Sequence, residues 1–397
     1  MPVEANKTMR VFAIMGSNPN MFPSMYHLVS RMSAGAAVVR FACKYPPDLT
    51  DIGSADVEHI HVPDSKGFLS RIPLLRTNFI NLLVTAVRFK PDLIIAQESY
   101  VLVAIVYKIL AAPFRRTKVA GFFYDYTDAG TSTRLIGVLA KFISTYIDVC
   151  PMRLKWRQDA WPLLRASQFV MRLSPPRSAG VNITVNEHPS VVYVASPNVL
   201  TKMDPSRLSK FISRLCDRGI KVHWYLSGGE TLTPDLDQLA TAKSMASSDN
   251  FAVFPAIPKS ALAAVLARYD AGLFWAPLSD NRGNKSFFIS AASNKIGEYL
   301  AAGLIIAHTG NPGLSYLPDD VCAPFDPTDP EAGADHVAAA LSDRAEIKRK
   351  RQVAFRYHLD EMNFEAQADP VFRHLMNRRE VIEGAGAHRF RSKGSCL

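Results

Sequence analysis

Residues 293–313 read SNKIGEYLAAGLIIAHTGNPG. The run is a helix from Asn294 to Ala302, closed by Gly303 at the C′ position where a left-handed residue ends helices, and then a buried strand from Leu304 to Ala307. Directly upstream lies the apolar strand Ala271 to Trp275, so the segment is a strand–helix–strand unit, the building block of a parallel sheet.

The alternation extends in both directions. Val191–Ala195, Val222–Leu226 and Phe251–Phe254 are predicted strands, separated by helices at Pro205–Arg218, with Asp204 as N-cap, and Ser260–Ala267. An earlier series has strands at Val11–Met15, Ala37–Ala42, His59–Val62, Leu93–Ala96 and Val119–Phe123, with a helical pattern over Met21–Met32. Between the two series lies the turn-rich stretch SPPRSAGVN, Ser174–Asn182. The expected class is α/β with two doubly wound domains, 1–185 and 186–350, followed by helices over 351–381 and a polar basic tail, 382–397, expected to be disordered.

The chain has 397 residues, 48% hydrophobic and 21% charged, the composition of a globular protein with room for two cores. Its five cysteines (Cys43, Cys150, Cys216, Cys322 and Cys396) are scattered without metal-ligand spacing and are read as reduced thiols in a cytoplasmic protein. MPVEANKTMR leads into an apolar run too short for a signal sequence, so export by that route is not expected. The longest apolar stretch, Leu93–Pro113, is interrupted by Gln97, Glu98 and Lys108, and no transmembrane helix is predicted.

The net charge of +10 is uneven: residues 1–185 hold 22 Lys+Arg against 12 Asp+Glu, and the remainder 24 against 24. An anionic partner for the first domain follows. Within Ser65–Pro91, Lys66, Arg71, Arg76, Arg88 and Lys90 stand among Leu, Ile and Phe with no acid, a basic amphipathic segment suited to an anionic membrane surface. Arg115, Arg116 and Lys118 form a second acid-free cluster. A solvated basic face on a core helix is the plainer alternative. Nucleic acid is not expected, because no helix-turn-helix, RNP, KH or finger pattern accompanies the charge.

In open α/β sheets ligands bind beyond the carboxyl ends of the strands, and anions favour helix N-termini. The loop SDNRGNKSFFISAASNK before the 294–302 helix offers Arg282, Lys285 and Lys295 to a diphosphate, with Ser293 and Asn294 at the helix start. Glu298 follows Lys295 by three positions and shares its side of the helix, where it could accept from ribose hydroxyls. The same residues could merely cap the helix and complement its dipole.

This segment resembles the nucleotide-sugar motif of family 4 (group 1) glycosyltransferases of the GT-B architecture. The likeness continues through VVYVASP (Val191–Pro197), WYLSGG (Trp224–Gly229), Phe254–Phe274 and YDYTD (Tyr124–Asp128). It implies two facing Rossmann-like domains with the C-terminal helices returning to the first. It also implies that Lys295 binds a donor diphosphate, Glu298 its ribose and Phe254–Ile257 its base. Gly16 resembles the glycine that faces the phosphates from the first domain. Two departures stand out: Ser290 occupies the position of a sugar-contacting glutamate, and only Lys202 matches a cation expected after the first strand of the second domain.

Asp125 and Asp128, in GFFYDYTDAGTS, are candidate general bases at the end of a strand, with Glu98 next; Asp128 also suits a helix cap. Asp235 and Asp237 have DxD spacing but begin a helix, and no metal is expected; His223, His308 and His388 are isolated. The expected activity is therefore transfer of a sugar from a nucleoside-diphosphate sugar to a lipid-linked saccharide, on the inner face of a bacterial membrane and without a cofactor. A sugar-nucleotide epimerase and a non-catalytic binding module are the alternatives.

Overall fold

The structure is a computed structural model that describes residues 8–16, 23–35, 37–44, 57–62, 77–124, 131–177, 182–196, 205–226, 240, 242–276 and 293–377. In chain order the first half contains β1 (Arg10–Met15), α1 (Pro23–Ala34), β2 (Val38–Cys43), β3 (Val57–His61), α2 (Thr77–Phe89), β4 (Leu93–Gln97), α3 (Val101–Ala111), β5 (Lys118–Phe123), α4 (Thr131–Val138), β6 (Thr145–Asp148), α5 (Pro151–Ala160) and β7 (Ser167–Val170). The second half contains β8 (Ser190–Ala195), α6 (Pro205–Asp217), β9 (Lys221–Leu226), β10 (Phe251–Phe254), α7 (Lys259–Leu266), β11 (Ala271–Phe274), α8 (Asn294–Ala301), β12 (Ile305–His308) and β13 (Cys322–Pro324). Three helices follow: α9 (Pro330–Ala340), α10 (Arg344–Tyr357) and α11 (Phe364–Met376).

The strands form two parallel sheets in the orders β3-β2-β1-β4-β5-β6-β7 and β10-β9-β8-β11-β12-β13. Both run outward from their first strand, then jump back beside it, so each has a topological switch point: between β1 and β4, and between β8 and β11. Helices cover both faces, which explains central strands without alternation: Leu93, Ile94, Ile95 and Ala96 of β4 are all fully buried. At the edge, β3 is polar, and Glu58 pairs with Arg40 of β2 at 2.6 Å.

Three strands, β6, β7 and β13, were not expected. β6 buries all four residues of TYID because Asp148 is neutralised inside the core: Arg153 lies 2.7 Å away, and Tyr146 Oη and the Cys150 N–H donate to the same carboxylate.

The expected return of the C-terminal helices is correct for α11 and needs correction for residues 351–357. Phe364, Ala368, Val371 and Leu375 of α11 join the core beneath β1, β2 and α1. By contrast, α10 stays on the second sheet. Its Arg351 is fully buried, 3.3 Å from Asp270, and donates to the carbonyls of Gly303 and Ala267 at 2.9 Å and to that of Thr184. The crossing therefore falls in the π-helical turn His358–Met362. Here the two connections between the halves are bonded to each other: the Phe364 N–H donates to Pro175 O at 3.0 Å, and the Arg172 N–H to Gln367 Oε1 at 2.8 Å.

Cys43, Cys150, Cys216 and Cys322 are free thiols; Cys396 and the expected tail lie outside the described residues. Among the described residues no helix is long and apolar enough to cross a membrane.

Candidate active site

In the first sheet, chemistry collects at the switch point. Gly16 follows β1 directly and donates its N–H to Oε1 of buried Gln97, the last residue of β4, at 2.9 Å. A Cβ on Gly16 would stand 2.4 Å from the ring of Tyr100, so any side chain here would have to displace that ring.

Glu98 comes next and adopts φ 47°, a left-handed conformation costly for a residue with a Cβ. Its Oε1 accepts the N–H of Tyr124, just beyond β5, at 2.5 Å. Tyr124 is held from two further sides: its hydroxyl accepts the Met25 N–H at 3.0 Å, and its carbonyl accepts from Arg153 Nη1 at 2.7 Å. Burial drives the Tyr124 phenol far above its ordinary range, so it serves as a neutral anchor. Tyr124 directly precedes in sequence the segment that bears Asp125 and Asp128, both outside the described residues.

In the second sheet, α8 starts beyond β11 at the other switch point. Ser293 sits at its N-cap position in extended backbone and makes no side-chain capping bond, in contrast to the capping role its sequence position also suggested. Lys295 stands in the first turn. Its Nζ lies 5.9 Å from the ring centroid of Tyr193 on β8, and it forms no ion pair with any described residue. Part of its side chain still reaches solvent, yet its surroundings desolvate the ammonium and pull it down to about 8. Glu298 is half-buried one turn further on.

Two contacts fix this helix. Tyr299 Oη accepts the Val194 N–H at 3.1 Å and donates to Leu273 O at 3.3 Å, tying α8 to both strands of the switch point. Gly297 faces the connection between the halves: a Cβ there would meet Leu173 O and Ser174 Cα at 2.7 Å.

Phe254 ends β10 and stacks on Tyr225 at 4.9 Å, with His223 edge-on at 5.1 Å. His223 in turn bonds Tyr269 Oη at 2.8 Å. Ile257 is half-buried beyond exposed Pro255 and Ala256. β10, which carries this aromatic ledge, lies three strand spacings, roughly 14 Å, from β11.

No protein-family model matches the chain, and no curated protein does. Solved structures do match over nearly its whole length. A glycosyltransferase from Rickettsia africae has a TM-score of 0.70 at 9% identity, covering 94% of this chain and 100% of its own. Sucrose-phosphate synthase from Thermosynechococcus elongatus has 0.70 at 11%, covering 92% and 99%. HepE from Anabaena, solved with UDP and glucose, has 0.64 at 12%, again covering 92% and 99%. The chain has the GT-B fold.

Within this GT-B chain, Ser293, Asn294, Lys295 and Glu298 share one helix start, while Phe254 ends a strand of the same sheet and Ile257 lies in the segment just beyond it. Gly16 belongs to the first sheet, beside Gln97 and Glu98. Arg282, Lys285, Ser290, Lys202, Asp204, Asp235, Asp237 and His388 lie outside the described residues. His308 ends β12, where burial pulls its imidazole down to about 4 and keeps it neutral near neutral pH. Sequence reasoning missed Tyr193, Tyr299, Gln97 and the Asp148–Arg153 pair, whose roles arise from contacts between distant segments.

Proposed function

We propose that the chain transfers a sugar from a nucleoside-diphosphate sugar to an acceptor hydroxyl. One observation carries this reading: Lys295 is a desolvated ammonium with no carboxylate partner among the described residues, in the first turn of a helix at a switch point. Burying such a charge is costly unless an anion repays it, and a diphosphate approaching α8 would also meet the positive end of the helix dipole. The same charges stabilise the nucleoside diphosphate as it leaves, so the reaction calls for no metal. Glu298 is assigned to the ribose, the Phe254–Ile257 ledge to the base, and Arg282 to the phosphates.

In the transfer step the bond from the anomeric carbon to the diphosphate oxygen breaks and the bond to the acceptor oxygen forms. The acceptor proton passes to Asp125 or Asp128, which follow Tyr124 in the sequence after β5.

The acceptor we propose is a lipid-linked saccharide of cell-surface or exocellular polysaccharide, met at the cytoplasmic face of the membrane. What supports it is a surface on the first sheet's helices. Ile80, Val84 and Val87 of α2 are 49%, 43% and 51% exposed, and Phe114, after α3, is 90% exposed. Arg88, Lys90 and Arg116 stand exposed nearby in sequence. The second basic cluster is smaller than expected, since Arg115 pairs with Asp92 at 2.6 Å and Lys118 donates to Asn377 O. Arg71 and Arg76 lie outside the described residues.

The test is an assay of purified protein with a panel of nucleoside-diphosphate sugars and a bacterial lipid extract, followed by mass spectrometry. Release of nucleoside diphosphate that requires the extract, with a glycosylated lipid product, is expected. Consumption of donor without acceptor would point to epimerisation instead.

A further inference from the structure

Arg157 is the least expected residue of the first half. In PMRLKWRQDA it reads as one more cation of a solvated helix, yet it is fully buried. Its neighbour one turn earlier, Arg153, is also buried but answered by Asp148 and two carbonyls. Arg157 has no such answer: Nε, Nη1 and Nη2 all lack an acceptor among the described residues.

What surrounds it is aromatic. The guanidinium carbon lies 4.6 Å from the ring centroid of Trp161, 5.0 Å from Trp156 and 5.8 Å from Phe123. These rings attract the cation and supply no hydrogen-bond acceptor, so five N–H donors remain to be satisfied.

Arg157 lines a cavity of about 440 Å³ between α4 and α5. Thr133 and Arg134 add a hydroxyl and a second cation; Val138, Trp161 and Leu163 form apolar wall, and no carboxylate is among the described residues that line it. Trp161 owes its position to Gly137, where a Cβ would stand 2.6 Å from the indole. At the rim, Val138 is 64% and Leu163 41% exposed, so the apolar wall continues onto the surface.

We propose that this cavity binds a phosphate monoester carried on an apolar body, an amphiphile such as a lipid phosphate. The phosphate oxygens accept from Arg134 and, once the ligand displaces the side chains that cover it, from Arg157 in the fork geometry a guanidinium presents, and the Thr133 hydroxyl completes the shell. The apolar body lies along Val138, Trp161 and Leu163 and leaves over the rim. The cavity is of the size that takes small organic ligands. This assignment concerns binding alone and stands apart from the donor site on α8 and from sugar transfer.

The test uses the full-length protein without donor, titrated with octyl phosphate, inorganic phosphate or octanol. Fluorescence of Trp156 and Trp161 and the shift in melting temperature are the readouts. Octyl phosphate should bind at least about tenfold more tightly than either inorganic phosphate or octanol, and Arg157→Gln should weaken it roughly tenfold or more, with Arg157→Lys intermediate. Should Arg157→Gln fail to fold, Val138→Glu with Leu163→Glu, both at exposed positions, should weaken octyl phosphate by placing anions at the rim. Equal binding of octyl phosphate by wild type and either variant would overturn the proposal. So would inorganic phosphate binding as tightly as octyl phosphate, or no response to octyl phosphate at all.

Discussion

The carboxylate of Glu98 accepts the backbone N–H of Tyr124 at 2.5 Å while the Glu98 backbone itself sits at φ 47°. Strain of this kind persists where surroundings impose it, and here it sets the residue from which the 125–130 segment departs. Two substitutions separate strain from bonding. Glu98→Gly should be the more stable of the pair, by about 1 kcal/mol over Glu98→Ala, because glycine adopts the left-handed conformation freely. Both should lose turnover by about tenfold or more while binding nucleoside diphosphate normally. Equal melting temperatures for the two would show that the φ value is not what the fold imposes.

Gly297 lets α8 lie directly on the connection at Leu173–Ser174. A methyl group there meets backbone at 2.7 Å rather than the yielding end of a side chain. Gly297→Ala should therefore destabilise the protein by about 1–3 kcal/mol despite alanine's better helix propensity, as a chemical denaturation series would report. A neutral or stabilising effect would mean that the connection is free to move away.

Lys295 titrates at about 8 in the free protein, and a bound diphosphate must raise that value. Affinity for nucleoside diphosphate should be level below that pH and fall as pH rises through it, up to about tenfold per unit. The stability effect has the opposite sense. Because the folded ammonium titrates below its unfolded value, stability should increase as pH rises from about 8 to the ordinary lysine range. Lys295→Met should remove both dependences and raise the melting temperature by a few degrees, a cost that binding function imposes on stability.

The membrane reading rests on apolar and basic groups together. Wild type should sediment with anionic vesicles and much less with neutral ones, and high salt should weaken but not abolish the association. Arg71, Arg76 and Arg88 changed to Gln should lose the salt-sensitive part, while Phe114→Ser with Val87→Ser should lose the salt-resistant part. Indifference to lipid charge and to both variants would show that the excess charge of the first half serves another purpose.

Much of the fold was legible because a buried parallel sheet writes itself as short apolar runs separated by helices. β4 and β12 are of this kind. What stayed hidden depended on charges that the core accommodates. β6 contains Asp148, and α10, RAEIKRKRQVAFRY, reads as solvated until Arg351 meets Asp270. The same holds for the site. Lys295 and Glu298 could be chosen from their spacing, whereas the desolvation of Lys295 beside Tyr193 joins residues from β8 and α8 that no local pattern connects. Arg157 could not be told from an ordinary surface cation without the three rings around it.

The central claim is that a nucleoside-diphosphate sugar is held by Lys295 at the start of α8. Its most direct test is calorimetric titration of wild type and Lys295→Ala with a panel of nucleoside diphosphates at neutral pH. One base should bind wild type best, and the substitution should weaken it by roughly 1.5–3 kcal/mol, the worth of a charge-assisted contact, without disturbing the fold. Binding that is equal in the two proteins, or absent for every nucleoside diphosphate, would contradict the assignment.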